Sequence, residues 1–494
     1  MLRSILAILL LTLPCYSQTM STSEVVLTSF AGYWANSLNT SNPTGSSVFT
    51  AKDGSQWICF ARMANDGNGQ PLPNVTSPFV QIAHVVRGVV TLASPVLPAW
   101  VGNDQHNACS IALDNNGFVH LSYDEHVTPL HYYKSVNPND ASSFTGPLSM
   151  LGGANETSIT FALFFTNPVS GELYFTFQIG GGAYGQQAFY HYNTGTSSWE
   201  AAAGTAAGGR LANYQNPPAG ATFLSGLPQW DKTTGNLWFN YQVSQGVAPF
   251  FNCGPFPNPC AEYLLGWNGT SFIKFGGGAQ SMPVTFSNTT PVYIINNNPD
   301  GNFSVLDSFS IDANGTFFLP YLDMDGNGFL QVYVLESSTG PFVNHQLTSN
   351  QSVFNPPPAA GWLGPGIPPT PGEQVQSITA VSSGTCTWVT YADIFNWGAG
   401  QVAYQSCNNF TTSKVMYLTT KFSPNQIIFP DQVRNYRDGS ISFLFQQTND
   451  VQFRFFTFVS ASTPNIGRVS LITWSPGGCK DYGALSFSGT WSEQ

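Results

Sequence analysis

Two histidines, His106 and His126, stand twenty residues apart in a chain of 494 residues that has only seven histidines. An imidazole titrates near neutrality, so one such group can take a proton while a second, protonated, faces an anion. The stretch that holds them, residues 103–135, also contains His120 and His131. It reads as three short strands, Ser110 to Leu113, Phe118 to Tyr123 and Leu130 to Ser135. They are joined by the turn Asp114-Asn-Asn-Gly117 and by the connection Asp124 to Pro129. Turn-forming residues between alternating apolar runs are a hairpin signal. In an up-down-up meander the chain before the first strand and after the second lies at one end of the sheet, so His106 and His126 are expected to share a rim. His120 alternates with the apolar residues of its strand and reads as packed; His131 also reads as structural. A metal held by His106 and His126 lacks a third ligand at diagnostic spacing, and the sequence has no Cys/His cluster of the zinc type.

The elements that must position this stretch follow one repeated pattern, a turn ending in Gly and then an alternating apolar strand. It runs from Gly54 before Trp57-Ile-Cys-Phe60 and Gly117 before Val119-His-Leu-Ser-Tyr123 to Gly171 before Leu173-Tyr-Phe-Thr-Phe177 and Gly235 before Leu237-Trp-Phe-Asn-Tyr241. Gly315 before Phe317-Phe-Leu-Pro-Tyr321, Gly384 before Cys386-Thr-Trp-Val-Thr-Tyr391 and Gly439 before Ile441-Ser-Phe-Leu-Phe445 complete it. No run of a dozen positions carries the apolar spacing of a helix. Seven β units without intervening helices predict an all-β fold, a seven-bladed β-propeller with four-stranded blades. The aromatic residues that end these strands are expected to fill the layers between blades. The N-terminal segment near Val25 to Asn36 and the C-terminal strands near 453–475 are expected to share a blade and close the circle. Pro/Gly-rich stretches such as 355–375 read as rim loops, and no linker separates a second domain.

Only 8% of residues are charged and the net charge is −11, with 15 basic residues. No basic footprint for a nucleic acid is present, and an acidic polymer is repelled at long range unless a few local cations or protonated groups receive it. Met1 to Ser17 has the Arg3 n-region, the short apolar run and the small residues of a secretory signal. Residues 18–494 are therefore expected as one secreted, extracellular, monomeric propeller, with no later segment apolar enough to cross a membrane. Asn-x-Ser/Thr sequons such as Asn155, Asn268 and Asn314 suit a secretory route. Cys253 with Cys260 and Cys386 with Cys407 are the expected disulfides; Cys59, Cys109 and Cys479 leave an odd cysteine whose pairing stays open. Asp323-Met-Asp325-Gly-Asn327-Gly resembles the first half of a calcium loop without the closing glutamate, and a plain hairpin turn is the competing reading. No other cofactor is expected.

Asp104-x-His106-Asn107, Ile111-Ala-Leu-Asp114-x-x-Gly117-x-Val-His120, His126 and Leu130-x-Tyr132-x-x-Ser135 together resemble the histidine-bearing blade of the BNR-repeat propeller polysaccharide lyases. That group includes the ulvan lyases and the rhamnose–glucuronate lyases. Looser similarity covers most of the remaining chain, through Trp34-Ala-Asn36, Gly171-Glu-Leu-Tyr-Phe, Gly180-Gly-Gly-Ala-Tyr-Gly185 and Tyr190-His-Tyr192. The resemblance implies β-elimination at a 4-linked glucuronate of an acidic, rhamnose-containing class of polysaccharide, with His106 and His126 as catalytic residues.

The pattern also departs from that family. The tyrosine of its Thr-Tyr-Pro segment falls on Phe161, one arginine falls on Gln178, and another falls near Ser244. Tyr184, Tyr214 and Arg210 are nearby substitutes in sequence, so the substrate-binding candidates are Asn107, Gln178, Tyr184, Arg210 and Tyr214. A general acid or base contributes about 10²–10⁴ in rate, so these departures set a second reading beside the first: a non-catalytic carbohydrate-binding propeller that lost the acid/base set. A sialidase-like hydrolase needs an arginine triad and Ser-x-Asp-x-Gly-x-Thr-Trp boxes, neither of which is evident.

Overall fold

The recurrent Asp/Gly turns act locally in the same way. Asp114 Oδ1 accepts the N–H groups of Asn116 (2.9 Å) and Phe118 (3.0 Å), and Asp312 Oδ1 accepts those of Asn314 and Thr316 (2.9 Å each). The glycine then takes a left-handed conformation, φ 84° at Gly117 and 78° at Gly315, which a side chain would strain. Each turn thus delivers an alternating strand at a fixed register.

In the computed structural model the described residues are 20–28, 46–62, 79–99, 109–180, 185–214, 222–225, 227–244, 260–285, 287–295, 309–327, 329–338, 340–349, 375–393, 401–417, 431–448 and 467–476. They form seven antiparallel sheets. The first sheet runs Val48–Thr50, Gln56–Arg62, Phe79–Val86, Val89–Ala93, and the second Cys109–Leu113, Val119–Tyr123, Tyr132–Ser135, Phe144–Leu148. The third is built on Ile159–Thr166, Leu173–Ile179, Gln186–Asn193 and Ser198–Ala201, the fourth on Leu237–Ser244 and Cys260–Trp267. The fifth is centred on Phe317–Met324 and Leu330–Ser337, the sixth on Val375–Ser383 and Cys386–Asp393. In the seventh, Met20–Thr28 pairs with Gly467–Pro476, which pairs with Ile441–Thr448. One sheet therefore joins the two ends of the described chain, as expected, with the N-terminal strand beginning before Val25.

Successive sheets touch through their first strands. Ile111 N–H donates to Ser46 O, Phe164 N–H to Ser110 Oγ and Ser382 Oγ to Ser310 Oγ. The fourth and fifth sheets meet where Trp238 packs edge-on against Phe317, 5.0 Å between ring centroids. The first strands therefore face the centre of the assembly. This is the all-β propeller arrangement. Of the strand-ending aromatics, Phe60, Tyr123, Phe177, Tyr241, Tyr321 and Tyr391 are buried; the Phe445 side chain lies outside the described residues. At roughly 25 cal/mol per Å² of apolar area, such rings supply much of the force that holds neighbouring sheets together.

One short helix, Gln432–Asp438, departs from the reading of that stretch as a turn. Asp431 caps it by accepting Arg434 N–H, and Gly439 ends it at φ 76°. Seven residues are too few for a helical period to show in sequence. The helix contacts sheets that are not neighbours. Arg437 donates to Ala51 O in the first (2.7 Å), Lys232 of the fourth donates to Asn435 O (3.0 Å), and Asn435 donates to Ser382 O in the sixth (2.8 Å). It therefore lies across the centre at the end where the Asp/Gly turns gather.

Two disulfides are described. Cys386–Cys407 was expected; Cys59–Cys109 links the first two sheets and settles two of the three cysteines left open. Cys253 and Cys479 lie outside the described residues, as does Met1 to Ser17, read above as a secretory signal. Among the described residues no helix is long and apolar enough to cross a membrane.

Candidate functional site

His126 stands at the far end of its sheet from the Asp114–Gly117 turn and from the helix. Cys109 is opposite Tyr123 in the register of the first two strands of the second sheet. Cys109 follows His106 by three residues, and Tyr123 precedes His126 by three. His106 and Asn107 themselves, and Tyr184, lie outside the described residues.

The connection Asp124 to Pro129 is not a plain loop. It contains the strand His126–Thr128, which leaves the second sheet and pairs with Ile159–Thr166 of the third, placing His126 opposite Thr160. That partner is the first strand of its sheet, so His126 is carried on the central edge. Val127 N–H donates to Thr160 Oγ1 at 2.9 Å. Thr128 Oγ1 donates to Asp124 O at 3.1 Å, and Leu130 N–H to Glu156 O at 2.9 Å. Asp124 and Val127 have φ of 61° and 60°, and a β-branched residue in that region is strained. The third strand of the second sheet consequently begins at Tyr132 rather than at Leu130.

Thr160 is followed by Phe161, whose φ is 60°. The pairing with Leu173–Ile179 shifts there, between Thr160 and Leu163, as at a β-bulge. Phe161 is thus a buried ring in a bent stretch beside the His126 pairing. Thr160 is opposite Gln178, and Gln178 opposite Gln187. His126, Thr160 and Gln178 therefore share one cross-strand row, and two strand spacings put Gln178 about 10 Å from His126 along it. By alternation Gln178 lies on the face of its strand that carries Tyr174 and Thr176, and it is buried.

Glu125, immediately before His126, was not singled out by sequence; an acid in a connection normally reads as solvated. It is buried. Its Oε1 accepts Ser122 Oγ–H at 2.6 Å and His131 N–H at 2.8 Å. Burial pushes the carboxyl up to about 8, against the pull of these two bonds and with a further push from Asp124. His131 Nδ1 donates to Tyr123 O at 3.3 Å, consistent with its structural reading.

His120 is fully enclosed. Its Nε2 lies 3.3 Å from Asp114 Oδ2 and its Nδ1 2.8 Å from Tyr132 Oη. A neutral ring satisfies both, with Nε2–H donating to Asp114 and Nδ1 accepting from the phenol. Burial lowers the imidazole pKa against the opposing effect of Asp114. Lys134 Nζ completes the cluster 3.9 Å from Asp114 Oδ2 while donating to Tyr192 Oη at 2.6 Å. This is the packed histidine that the sequence suggested.

The other described candidates have partners of their own. Arg210 donates to Asn155 Oδ1 at 3.2 Å. Tyr214 is buried in the layer between the third and fourth sheets, its hydroxyl bonded to Tyr241 Oη (3.3 Å) and Thr289 Oγ1 (3.2 Å), and burial raises its pKa. Ser244 ends its strand opposite Thr222 and Cys260. At the calcium-like loop, Asp325 Oδ1 accepts the N–H groups of Asn327 (2.8 Å) and Phe329 (3.0 Å), and Oδ2 accepts Gln331 Nε2 (2.9 Å). The carboxylate thus serves a hairpin turn, with Asp323 in the preceding strand. Among the described residues no three His, Cys, Asp or Glu side chains are grouped to hold a metal.

Residues 41–219 match the family model described as BNR repeat-containing family member. No curated protein matches the chain in sequence. Among solved structures, a PL25 ulvan lyase bound to -[GlcA(1-4)Rha3S]- is similar over 92% of this chain and 95% of its own, with a TM-score of 0.54 at 10% identity. The lectin SapL1 in complex with α-methyl fucoside covers 78% of this chain and 98% of its own (TM-score 0.34, 11% identity). A Trypanosoma rangeli sialidase covers 92% of this chain and 59% of its own (TM-score 0.34, 10% identity); at these two scores the likeness is loose. The chain carries a BNR-repeat segment that includes its histidine stretch, and it resembles the BNR-repeat propeller polysaccharide lyases.

Proposed function

We propose that the protein is a carbohydrate-acting propeller of the polysaccharide lyase kind, cleaving a 4-linked glucuronate in an acidic polymer by β-elimination. The observation that carries this reading is the transfer of the His126 strand onto the central edge of the neighbouring sheet. A histidine with a packing role alone needs no such excursion, and the strained Val127 backbone marks the excursion as held in place. The fold is that of a propeller whose solved relative binds a glucuronate–rhamnose chain, and the family match spans the histidine stretch.

In the reaction a base takes the C5 proton, the C5–H electron pair forms the C4=C5 double bond, and the C4–O4 bond breaks with its electron pair leaving on O4, which takes a proton from the protonated base or from water. One imidazole of the His106/His126 pair is the base, and the other, protonated, faces the carboxylate and makes the C5 proton acidic. We read the seven sheets as seven blades of one domain, residues 18–494, secreted after loss of Met1 to Ser17 and acting as a monomer. The test is incubation with ulvan and with gum arabic while absorbance near 235 nm is followed. The unsaturated product is expected from wild type and not from His126→Ala or His106→Ala; its absence with every uronate polymer overturns the lyase reading.

A second reading is favoured by Phe161 and Gln178, which put a buried ring and a buried amide where related lyases carry a phenol and a guanidinium. It makes the protein a carbohydrate-binding propeller without cleavage. Saturable binding of the same polymers with no rise in absorbance selects it.

A further inference from the structure

The excursion that carries His126 begins and ends at one side chain. Ser122 belongs to the strand Val119–Tyr123, before the chain leaves the second sheet, and His131 lies where the chain returns to it. Glu125 Oε1 takes a hydrogen bond from each, 2.6 Å from Ser122 Oγ and 2.8 Å from His131 N. One carboxyl oxygen therefore ties together the two feet of the excursion. Between them Asp124 and Val127 adopt left-handed backbone, and Val127 is exposed. Such a conformation persists only where the surroundings over-determine it, and bonds that close the base of the excursion are those to Glu125, that from Thr128 Oγ1 to Asp124 O and that from His131 Nδ1 to Tyr123 O.

We propose that Glu125 is the positioning residue of the His126 segment: by holding Ser122 and His131 together, its carboxyl group sets where the His126 imidazole stands against the third sheet. The role rests on His126 as the site histidine, but its geometry is independent of the substrate. The groups around Glu125 are Asp124 in the chain, Tyr123 and Tyr133, whose rings stack 5.4 Å apart, and His131. In this enclosure the carboxyl stays neutral up to a pH of about 8. A neutral acid accepts both bonds without placing a negative charge beside a histidine that must receive an anion. Above that pH it ionises next to Asp124, and a negative charge then stands beside the His126 segment.

The test uses the full chain and the variants Glu125→Gln and Glu125→Ala, with His126→Ala to assign the His126 imidazole signal in the NMR spectrum. Glutamine keeps an acceptor oxygen for both bonds and does not ionise, whereas alanine removes it. In wild type the His126 signal is expected to move again as the pH passes about 8; in Glu125→Gln that alkaline step is absent and the signal below it is unchanged. In Glu125→Ala the signal is displaced at every pH, and the rate of product formation from ulvan falls by about 10²-fold, the usual cost of misplacing a reacting group, with kcat affected more than KM. If Glu125→Ala does not fold, Ser122→Ala, which removes one of the two bonds, is expected to displace the same signal by a smaller amount. Coincidence of the His126 signal in wild type and the truncated variant, or an alkaline step that survives in Glu125→Gln, overturns the proposal. If wild type forms no unsaturated product, the lyase reading fails, and the NMR measurements still decide the role of Glu125.

Discussion

Val127 N–H donates to Thr160 Oγ1 at 2.9 Å, across the boundary between the second and third sheets. The His126 segment is therefore held by two sheets, and the position of His126 depends on a side chain 34 residues further along. Thr160→Val keeps the shape but leaves the Val127 amide without its acceptor. The bond is part-buried, and a hydrogen bond of this kind contributes about 0.5–1.5 kcal/mol. Denaturant midpoints should show a loss in that range for Thr160→Val and a much smaller one for Thr160→Ser, which keeps the hydroxyl.

Removing the imidazole itself should leave the fold nearly untouched. His126 is on a three-residue strand at an edge, partly accessible, and the pairing with Thr160 is made by the backbone. His126→Ala is expected to melt close to wild type while losing about 10²–10⁴ of the rate of unsaturated-product formation, the range for a general acid or base. A variant that loses stability and activity in parallel would instead make His126 a packing residue.

The fold should weaken in mild acid because of a different histidine. His120 is buried neutral, its pKa lowered by burial. When the chain unfolds, the ring returns to its ordinary value near 6.5 and binds a proton more readily than in the fold. The unfolded state therefore takes up protons first, and stability is lost as the pH falls below about 6.5. Asp114 adds to the trend at lower pH. Burial pushes its carboxyl up, but the hydrogen bond from His120, that from the Phe118 amide and the charge of Lys134 outweigh this and hold it below the usual value. Its contribution is present above the ordinary carboxylate range and is lost as it protonates. Urea midpoints measured from pH 8 to pH 4 should fall through this window. The first part of the fall should be absent in His120→Gln, which does not titrate.

The all-β character was legible in the sequence because the turn at Asp114 and the strand at Val119–Tyr123 are local features that recur with the same chemistry. Burial of Tyr123, Phe177 and Tyr241 followed from the same period of two. The strand at His126–Thr128 was not legible, because its partner Ile159–Thr166 belongs to another sheet and register across sheets leaves no local mark. Glu125 was hidden for a related reason: its enclosure needs the chain to return, so that His131 and the ring of Tyr133 stand with Ser122 and Tyr123 around it. The helix Gln432–Asp438 was missed because two turns are too short to show a period. The pairing of Cys59 with Cys109 required knowing that the first two sheets are neighbours.

That disulfide yields a prediction that separates scaffold from site. Cys59–Cys109 closes a loop of 50 residues and Cys386–Cys407 one of 21. On chain entropy alone these are worth about 4 and about 3 kcal/mol, so replacing either pair by serine should lower the denaturation midpoint by similar amounts. Their effects on function should differ. Cys109 begins the strand that pairs with Val119–Tyr123, lies three residues after His106, and ties that end of the second sheet to the first. Cys386 and Cys407 join two strands of the sixth sheet, away from the His126 excursion. At a temperature where both double variants remain folded, Cys59→Ser with Cys109→Ser should slow product formation from ulvan, or weaken its binding, while Cys386→Ser with Cys407→Ser should not. Equal losses in the two variants would mean that the disulfides act on stability alone and that the histidine rim does not depend on the link between the first two sheets.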